Sequence, residues 1–234
     1  TVTDTIDTGI LVPMTSVEAN GFLYVSHNYV TGGVTVINLS DHSIVTTLLS
    51  GTVISSFSVS GNKVYAAATS SNSISVIDAT TNTVTATIGV GNSPANPITV
   101  GSSIYVPNAT DTTVSVIDVL TDTVATTITV GSRPYRGVLN GTDLYVVCAD
   151  GGVVSVIDTN TNNVTTNISV GTWPAYITID GLFAYASNNV GDSVSIIDLS
   201  NNTVIGTLSP VAGAGWLTAA GNFVYVIGSS GVSI

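Results

Sequence analysis

The chain has 234 residues and carries only 3 Lys and Arg against 14 Asp and Glu, a net charge of −11. Only 7% of its residues are charged, where an average soluble domain has about a quarter. Three cations cannot build the basic face that phosphate binding or an anionic membrane surface needs, so nucleic acid and charge-driven membrane partners are excluded; a 44% apolar composition and a mean hydropathy of +0.52 exclude a disordered chain.

In chain order the predicted elements repeat. Thr1-Val2-Thr3-Asp4-Thr5-Ile6 opens with a strand-like pattern. The motif V-T-V-I-N begins at Val34, I-S-V-I-D at Ile74, V-S-V-I-D at Val114 and Val154, and V-S-I-I-D at Val194, in equal steps along the chain. Shortly after each, a second apolar run starts at Ile44, Val84, Val124, Val164 and Val204. A tyrosine marks another run at Tyr24, Tyr65, Tyr105, Tyr145, Tyr185 and Tyr225. Within one unit the pattern predicts strands over 175–179, 182–187, 193–198 and 203–208, with Asp180-Gly181 as a hairpin turn. Val, Ile and Thr dominate these runs, which suits a pleated surface. No segment shows helical periodicity or an apolar run of about 18 residues, so no membrane insertion is expected.

Four strands repeated at a period of about 40 residues, the repeat length of propeller blades, predict an all-β, six-bladed β-propeller of four antiparallel strands per blade. A single domain over 1–234 is expected. A lone sheet cannot cover both of its faces, and a ring of sheets can. The last unit runs out in its third strand at Val232-Ser233-Ile234, and Thr1 to Ile6 matches the fourth-strand segment Thr83 to Ile88. The N-terminal strand is therefore expected to close the last blade. The alternative is that this strand pairs with a neighbouring molecule and builds a filament. No basic-apolar leader opens the sequence, and any leader is expected to have been removed. Both ends stop at one hairpin turn, as expected of the ordered or mature part of a longer chain.

The unit Tyr105-Val106-Pro107-Asn108 followed by Val114 to Pro134, seen again from Tyr145 to Pro174, resembles the YVTN-type β-propeller repeat. That resemblance covers essentially the whole chain. It implies kinship with surface-layer and other exported proteins, and propellers of this kind that serve as surface structural modules, binding modules, virion parts or a few lyases. An uncharged, Ser-, Thr- and Asn-rich polar surface points the same way, to an extracellular or cell-surface protein. Asn-x-Ser/Thr sequons at Asn38, Asn108, Asn140, Asn163, Asn167 and Asn201 fit an exported glycoprotein without establishing one.

Sequence signs of catalysis are weak. His27 and His42 fall in loops expected at opposite ends of a blade, and Glu18 is the single glutamate. No Cys or His cluster has metal-ligand spacing, and no nucleophile elbow or phosphate-binding loop occurs. The lyases among related propellers use paired His and Glu with a metal, and no matching set is found. Cys148 is expected to be a small buried residue, since a lone cysteine forms no internal disulfide. Asp78, Asp118, Asp158 and Asp198 are expected to close Asx turns rather than bind calcium, and the repeat tyrosines to pack in the core or between blades. The sequence therefore predicts no catalytic residue, no metal and no cofactor.

Departures from the repeat are more informative. Trp173 and Trp216 map to inter-blade loops, as do Arg133 and Arg136, and Tyr29, Tyr135 and Tyr176 map to the same end of the blades with Met14 and Phe57. Ser16, Ser56, Asn96, Arg136, Tyr176 and Trp216 are spaced by one repeat each, where each innermost strand begins. Arg133, Tyr135, Arg136, Trp173, Tyr176 and Trp216 thus predict a one-sided aromatic and cationic face that binds a protein or a glycan. The competing expectation is that both tryptophans fill gaps between blades and the arginines pair with Asp150 or Asp192.

Overall fold

In the computed structural model the described residues are 5–6, 12–27, 32–220, 223–229 and 231–234. They form twenty-three strands and no α-helix. The first sheet is β1 (Pro13–Ala19), β2 (Phe22–His27), β3 (Val34–Asn38) and β4 (Ile44–Leu48). The second is β5 (Ile54–Ser60), β6 (Lys63–Ala68), β7 (Ser73–Asp78) and β8 (Thr83–Gly89). The third is β9 (Ile98–Val100), β10 (Ser103–Asn108), β11 (Thr113–Asp118) and β12 (Thr123–Thr129). The fourth is β13 (Pro134–Asn140), β14 (Asp143–Cys148), β15 (Val153–Asp158) and β16 (Asn163–Ser169). The fifth is β17 (Pro174–Asp180), β18 (Phe183–Asn188), β19 (Ser193–Asp198) and β20 (Thr203–Leu208). The last sheet holds three strands, β21 (Leu217–Ala220), β22 (Phe223–Gly228) and β23 (Gly231–Ser233).

Each sheet is a meander in which strands adjacent in sequence pair antiparallel. This is the blade pattern of a β-propeller, and the sequence-based strand limits hold to within a residue in the 171–208 unit. At the hairpin between β17 and β18, Gly181 has φ 57°, a left-handed conformation that costs a residue without Cβ nothing. The strand expected to close the last blade falls on residues 1–7, of which only Thr5 and Ile6 are described, so that expectation lies outside the described residues.

The chain divides into two compact units, 1–106 with 116–125, and 107–115 with 126–234. In the first, Tyr24, Val36, Ile54, Val64 and Ile77 are fully or almost fully buried in one core that joins the first two sheets. In the second, Tyr145, Val154, Val156, Ala184 and Ile197 do the same between the fourth and fifth. Both faces of the middle strands are covered, so these runs read as nearly continuous apolar stretches. The fourth strands β12 and β16 alternate exposed with half-buried or buried positions.

Three of the repeat tyrosines, Tyr24, Tyr65 and Tyr145, connect neighbouring sheets. Tyr65 Oη donates to Asp122 Oδ1 at 3.0 Å, and Tyr145 Oη donates to Asn202 Oδ1 at 2.7 Å. Tyr24 makes the corresponding short bond to Asn82. In each case the ring fills the core while its hydroxyl reaches the turn between third and fourth strands of the next sheet. The acceptors Asn82, Asp122 and Asn202 all have positive φ, a conformation Asn and Asp tolerate better than other side chains. The carboxylates that end the third strands close Asx turns as expected. Asp78 Oδ1 accepts from Thr80 N and Oγ1 at 2.7 and 2.6 Å, and Asp198 Oδ1 from Ser200 N and Oγ at 2.8 and 2.7 Å.

Cys148 is fully buried at the end of β14, and burial pushes its thiol pKa up. His27 differs from its expected place in a loop: it is the last residue of β2 and 1% exposed, and burial lowers its pKa. Among the described residues no three His, Cys, Asp or Glu groups gather as a metal site.

These contacts can be tested by mutation and by pH. Tyr145→Phe removes the hydroxyl that satisfies a half-buried Asn202 and should lower stability by about 1–2 kcal/mol, read from urea midpoints; an unchanged midpoint would mean the bond contributes nothing. The pH profile follows the shifted groups: buried His27 contributes stability that is present above its ordinary 6.5 and is lost as pH falls below it, and buried Cys148 contributes stability that is present below its ordinary 9.0 and is lost as pH rises above it. Burial raises Tyr24 from 10.0 to about 12, so folding favours its protonated form. That contribution is complete below pH 10 and is lost as pH rises towards 12. At the acid end, hydrogen bonds from Thr80 and Ser200 hold Asp78 and Asp198 below their ordinary 3.8. Their contribution is present above that value and is lost as pH falls through the lower folded values, while protonation elsewhere relieves self-repulsion. Cooperative unfolding already at pH 4 would contradict this.

Candidate functional site

The first strands β13, β17 and β21 lie side by side in the second unit, and their N-terminal ends carry the candidate residues. The residue before β13 is Arg133 (φ 60°) and the residue before β17 is Trp173 (φ 58°), both left-handed without being glycine. Ser93 holds the same conformation at the equivalent position of the first unit. Such residues cost of order 1–3 kcal/mol and persist where surrounding bonds hold them. Here the carbonyl of Arg133 accepts from Ala149 N, and that of Trp173 from Asn189 N, each at 2.9 Å. One residue further on, each strand carries a bulge: pairing shifts between Pro134 and Arg136, and between Pro174 and Tyr176. A bulge adds a residue to one strand and re-aims the side chains around it. Arg136 therefore sits inside β13, not in the loop where the sequence reading put it, and Tyr135 and Tyr176 are likewise strand residues.

The outcome is a cluster built on Arg136. Its guanidinium carbon lies 4.2 Å from the Tyr176 ring centroid, 5.0 Å from Trp216 and 5.9 Å from Tyr135. Tyr176 and Trp216 stack with centroids 4.7 Å apart and planes tilted by 33°. Burial pushes the Tyr176 phenol up to about 12, and the Arg136 charge acts against that shift. A cation over a ring contributes about 0.5–1 kcal/mol at exposed sites and about 2 where water is excluded. Among the described residues no acidic side chain pairs with Arg136, and its buried Nε has no hydrogen-bond partner.

Arg133 makes a second, separate pair. Its guanidinium lies 4.6 Å over the Trp173 ring, and its Nη1 is 3.9 Å from Asp150 Oδ1, with both charged side chains 45% exposed. An open ion pair at that distance contributes little. Arg133, Tyr135, Ala149, Trp173, Pro174 and Ala175 line a cavity of about 270 Å³. All six residues of the sequence-derived face thus lie in one unit, in two groups that share Tyr135. Tyr29 lies outside the described residues.

The competing expectation fares unevenly. Arg133 does face Asp150, loosely. Asp192 instead accepts from Gly213 N at 2.6 Å and fixes the loop that leads to Trp216. Trp216 is 61% exposed and Trp173 36%, so neither is a buried plug.

Sequence reasoning missed the residues that set this geometry. Ser187 Oγ accepts from Tyr176 N at 3.2 Å and donates to Gly215 O at 2.7 Å, tying β17 to the residue before Trp216. Asn189 Nδ2 reaches the carbonyls of Gly213 and Ala214. Buried Asn188 accepts from Gly171 N at 3.1 Å and donates to Ser193 and Ser195. Gly171, which opens the Trp173 loop, must be glycine for space: an added Cβ would lie 2.6 Å from Asn188 Cγ. Nothing in the sequence distinguishes Ser187 from any other strand serine.

No protein-family model matches the chain, and no curated protein matches it. Solved structures resemble it. A chain of the Kuenenia stuttgartiensis hydrazine synthase is similar with TM-score 0.63 and 25% identity, covering 71% of this chain and 52% of that one. The dihydro-heme d1 dehydrogenase NirN aligns with TM-score 0.77 and 13% identity over 92% of this chain and 52% of that one. BamB from Moraxella catarrhalis aligns with TM-score 0.75 and 14% identity over 93% and 70%. The chain spans about half the length of the hydrazine synthase and NirN chains. Identities this low carry the fold alone, and the fold they support is the β-propeller.

The exposure of the tryptophans sets a stability test. Trp216→Ala should cost about 1 kcal/mol, the loss of a stack and a cation contact, against about 3–5 kcal/mol for a core Trp. Ser187→Ala should cost about 1–2 kcal/mol by stranding two backbone groups and should alter Trp216 fluorescence. A large loss at Trp216, read from thermal melts, would return it to a packing role.

Proposed function

We propose that this chain is a non-enzymatic binding or structural module of an extracellular or cell-surface protein, a β-propeller with YVTN-type repeats. The observation that supports a binding role is the Arg136 cluster. An arginine held by three rings, next to an exposed Trp216 and a cavity beside Trp173, combines the residue types that dominate binding hot spots. The partner in this reading is a protein or a glycan. The scarcity of charge on a 234-residue chain supports an exported setting, and the repeat motif supports the surface-layer kinship.

The finer architecture in this reading is one domain of six blades, the last closed by the segment 1–7. Deleting residues 1–8 should then lower the melting temperature and promote aggregation through an exposed sheet edge. A truncated protein that stays monomeric with unchanged melting would contradict closure.

Two other readings differ in class. In one the chain is a subunit of a virion or an extracellular filament, through self-assembly of that same edge; negative-stain imaging of native material would show a polymer repeat. In the other it is a lyase-like enzyme, which a metal analysis with a broad substrate screen would detect.

The binding role is tested on Trp173→Ala and Trp216→Ala. Both proteins should fold with near-native melting and lose adhesion to cell-wall glycans or to extracted surface proteins. Retained adhesion in both would remove this face from the function.

A further inference from the structure

We propose that Arg136 is the carboxylate-binding centre of a site for a uronic-acid-bearing glycan, with Trp216 and Trp173 as the platforms on which its sugar rings stack. The inference rests on the binding-face reading and specifies its ligand.

The argument starts from how the chain uses its three cations. Lys63 is committed: its Nζ lies 2.7 Å from Asp122 Oδ2 and 2.9 Å from the Val119 carbonyl. Arg133 faces Asp150. Arg136 alone pairs with no carboxylate among the described residues, although the chain carries 14 acidic side chains. A guanidinium has five N–H donors in a planar fork suited to a carboxylate. Stacking against Tyr176, Trp216 and Tyr135 fixes the plane of that fork and uses none of its donors. The buried Nε has no partner and is closed to solvent, so the carboxylate meets the Nη groups of the fork. Arg136 is half-buried among the rings, and partial removal from water strengthens a charge-assisted bond to an incoming anion.

The surroundings select among anions. A net charge of −11 repels a densely charged polyanion, which leaves ligands with isolated carboxylates. The form of the site favours a sugar over a protein loop. Tyr176 and Arg136 both lie against Trp216, yet the residue is 61% exposed, so ring surface remains for the apolar C–H face of a sugar. Trp173 is arranged alike, with Arg133 on one side and 36% exposure. The cavity next to it, about 270 Å³, is just below the range of about 300–1,000 Å³ typical of small-ligand pockets and suits a single ring. Tyr135 lines this cavity and also contacts Arg136, so one short acidic oligosaccharide can meet both groups.

Trp173 and Trp216 are the only tryptophans in the chain, so intrinsic fluorescence reports on this face directly. The experiment titrates the whole protein with a glucuronic-acid-containing tetrasaccharide, with its carboxyl-reduced counterpart, and with a short peptide ending in Glu. The acidic tetrasaccharide should shift the fluorescence saturably. Carboxyl reduction on the unaltered protein, and Arg136→Gln with the acidic sugar, should each weaken binding about ten- to a hundred-fold. Arg136→Lys should recover only part of the loss, because an ammonium lacks the fork. Carboxyl reduction alters the ligand alone, so the result stands even where Arg136→Gln disturbs folding. Equal affinity for acidic and reduced sugars would overturn the carboxylate role while leaving a glycan-binding face in place. Binding of the peptide and of neither sugar would overturn the glycan and point to a protein partner. Silence towards all three probes would overturn the proposal, and the binding face itself would fall only if the tryptophan variants also kept their surface adhesion.

Discussion

Each sheet in this protein has two apolar faces and must find cover for both, and the repeat tyrosine is where that constraint is met with directional specificity. Hydrophobic burial alone would let neighbouring sheets slide, because it is nondirectional. A tyrosine hydroxyl that must find an acceptor does not allow sliding. From Tyr65 it reaches Asp122 and from Tyr145 it reaches Asn202, in both cases at the turn between third and fourth strands of the next sheet. The acceptors sit in left-handed turns closed by Asx bonds from the preceding strand end. Turn chemistry, core packing and sheet-to-sheet registry meet in this contact at Tyr24, Tyr65 and Tyr145, and the accepting turns follow strands that end in Asp78, Asp118 and Asp198.

This framework uses almost no charge. Hydroxyls, amides and the Asx carboxylates close the turns, and both Lys63 with Asp122 and the open contact of Arg133 with Asp150 lie at the surface or half-buried. Against such a background an arginine surrounded by rings stands out physically. Arg136 is held in place by dispersion and by ring quadrupoles, interactions that orient a guanidinium without neutralising it. The neighbouring strands bring Tyr176 and Trp216 to it because the three first strands run side by side, and Ser187 fixes the spacing between two of them. Rigidity of the scaffold and availability of the charge are thus compatible: the donors that would have been spent on a structural salt bridge remain for another acceptor.

The sequence by itself determined the fold class. Period-2 apolar runs, a regular blade-length repeat and turn residues at fixed offsets are local signals, and local hydrogen bonding and sheet burial enforce them one unit at a time. It also identified which side chains depart from the repeat, so all six residues of the candidate face were named from their phase alone. Phase could not say what those residues touch. Arg136 was assigned to a loop, yet a bulge after Pro134 places it within β13 and turns it towards Tyr176. His27 was assigned to a loop, yet it ends a strand and is buried. Whether an arginine meets a carboxylate or a ring depends on bulges, left-handed residues such as Arg133 and Trp173, and the approach of strands one repeat apart in the chain. Ser187, Asn188 and Asp192 acquire their roles only there, because a hydrogen bond across sheets leaves no periodic trace in the chain. Those are tertiary contacts, and only the tertiary structure decided them.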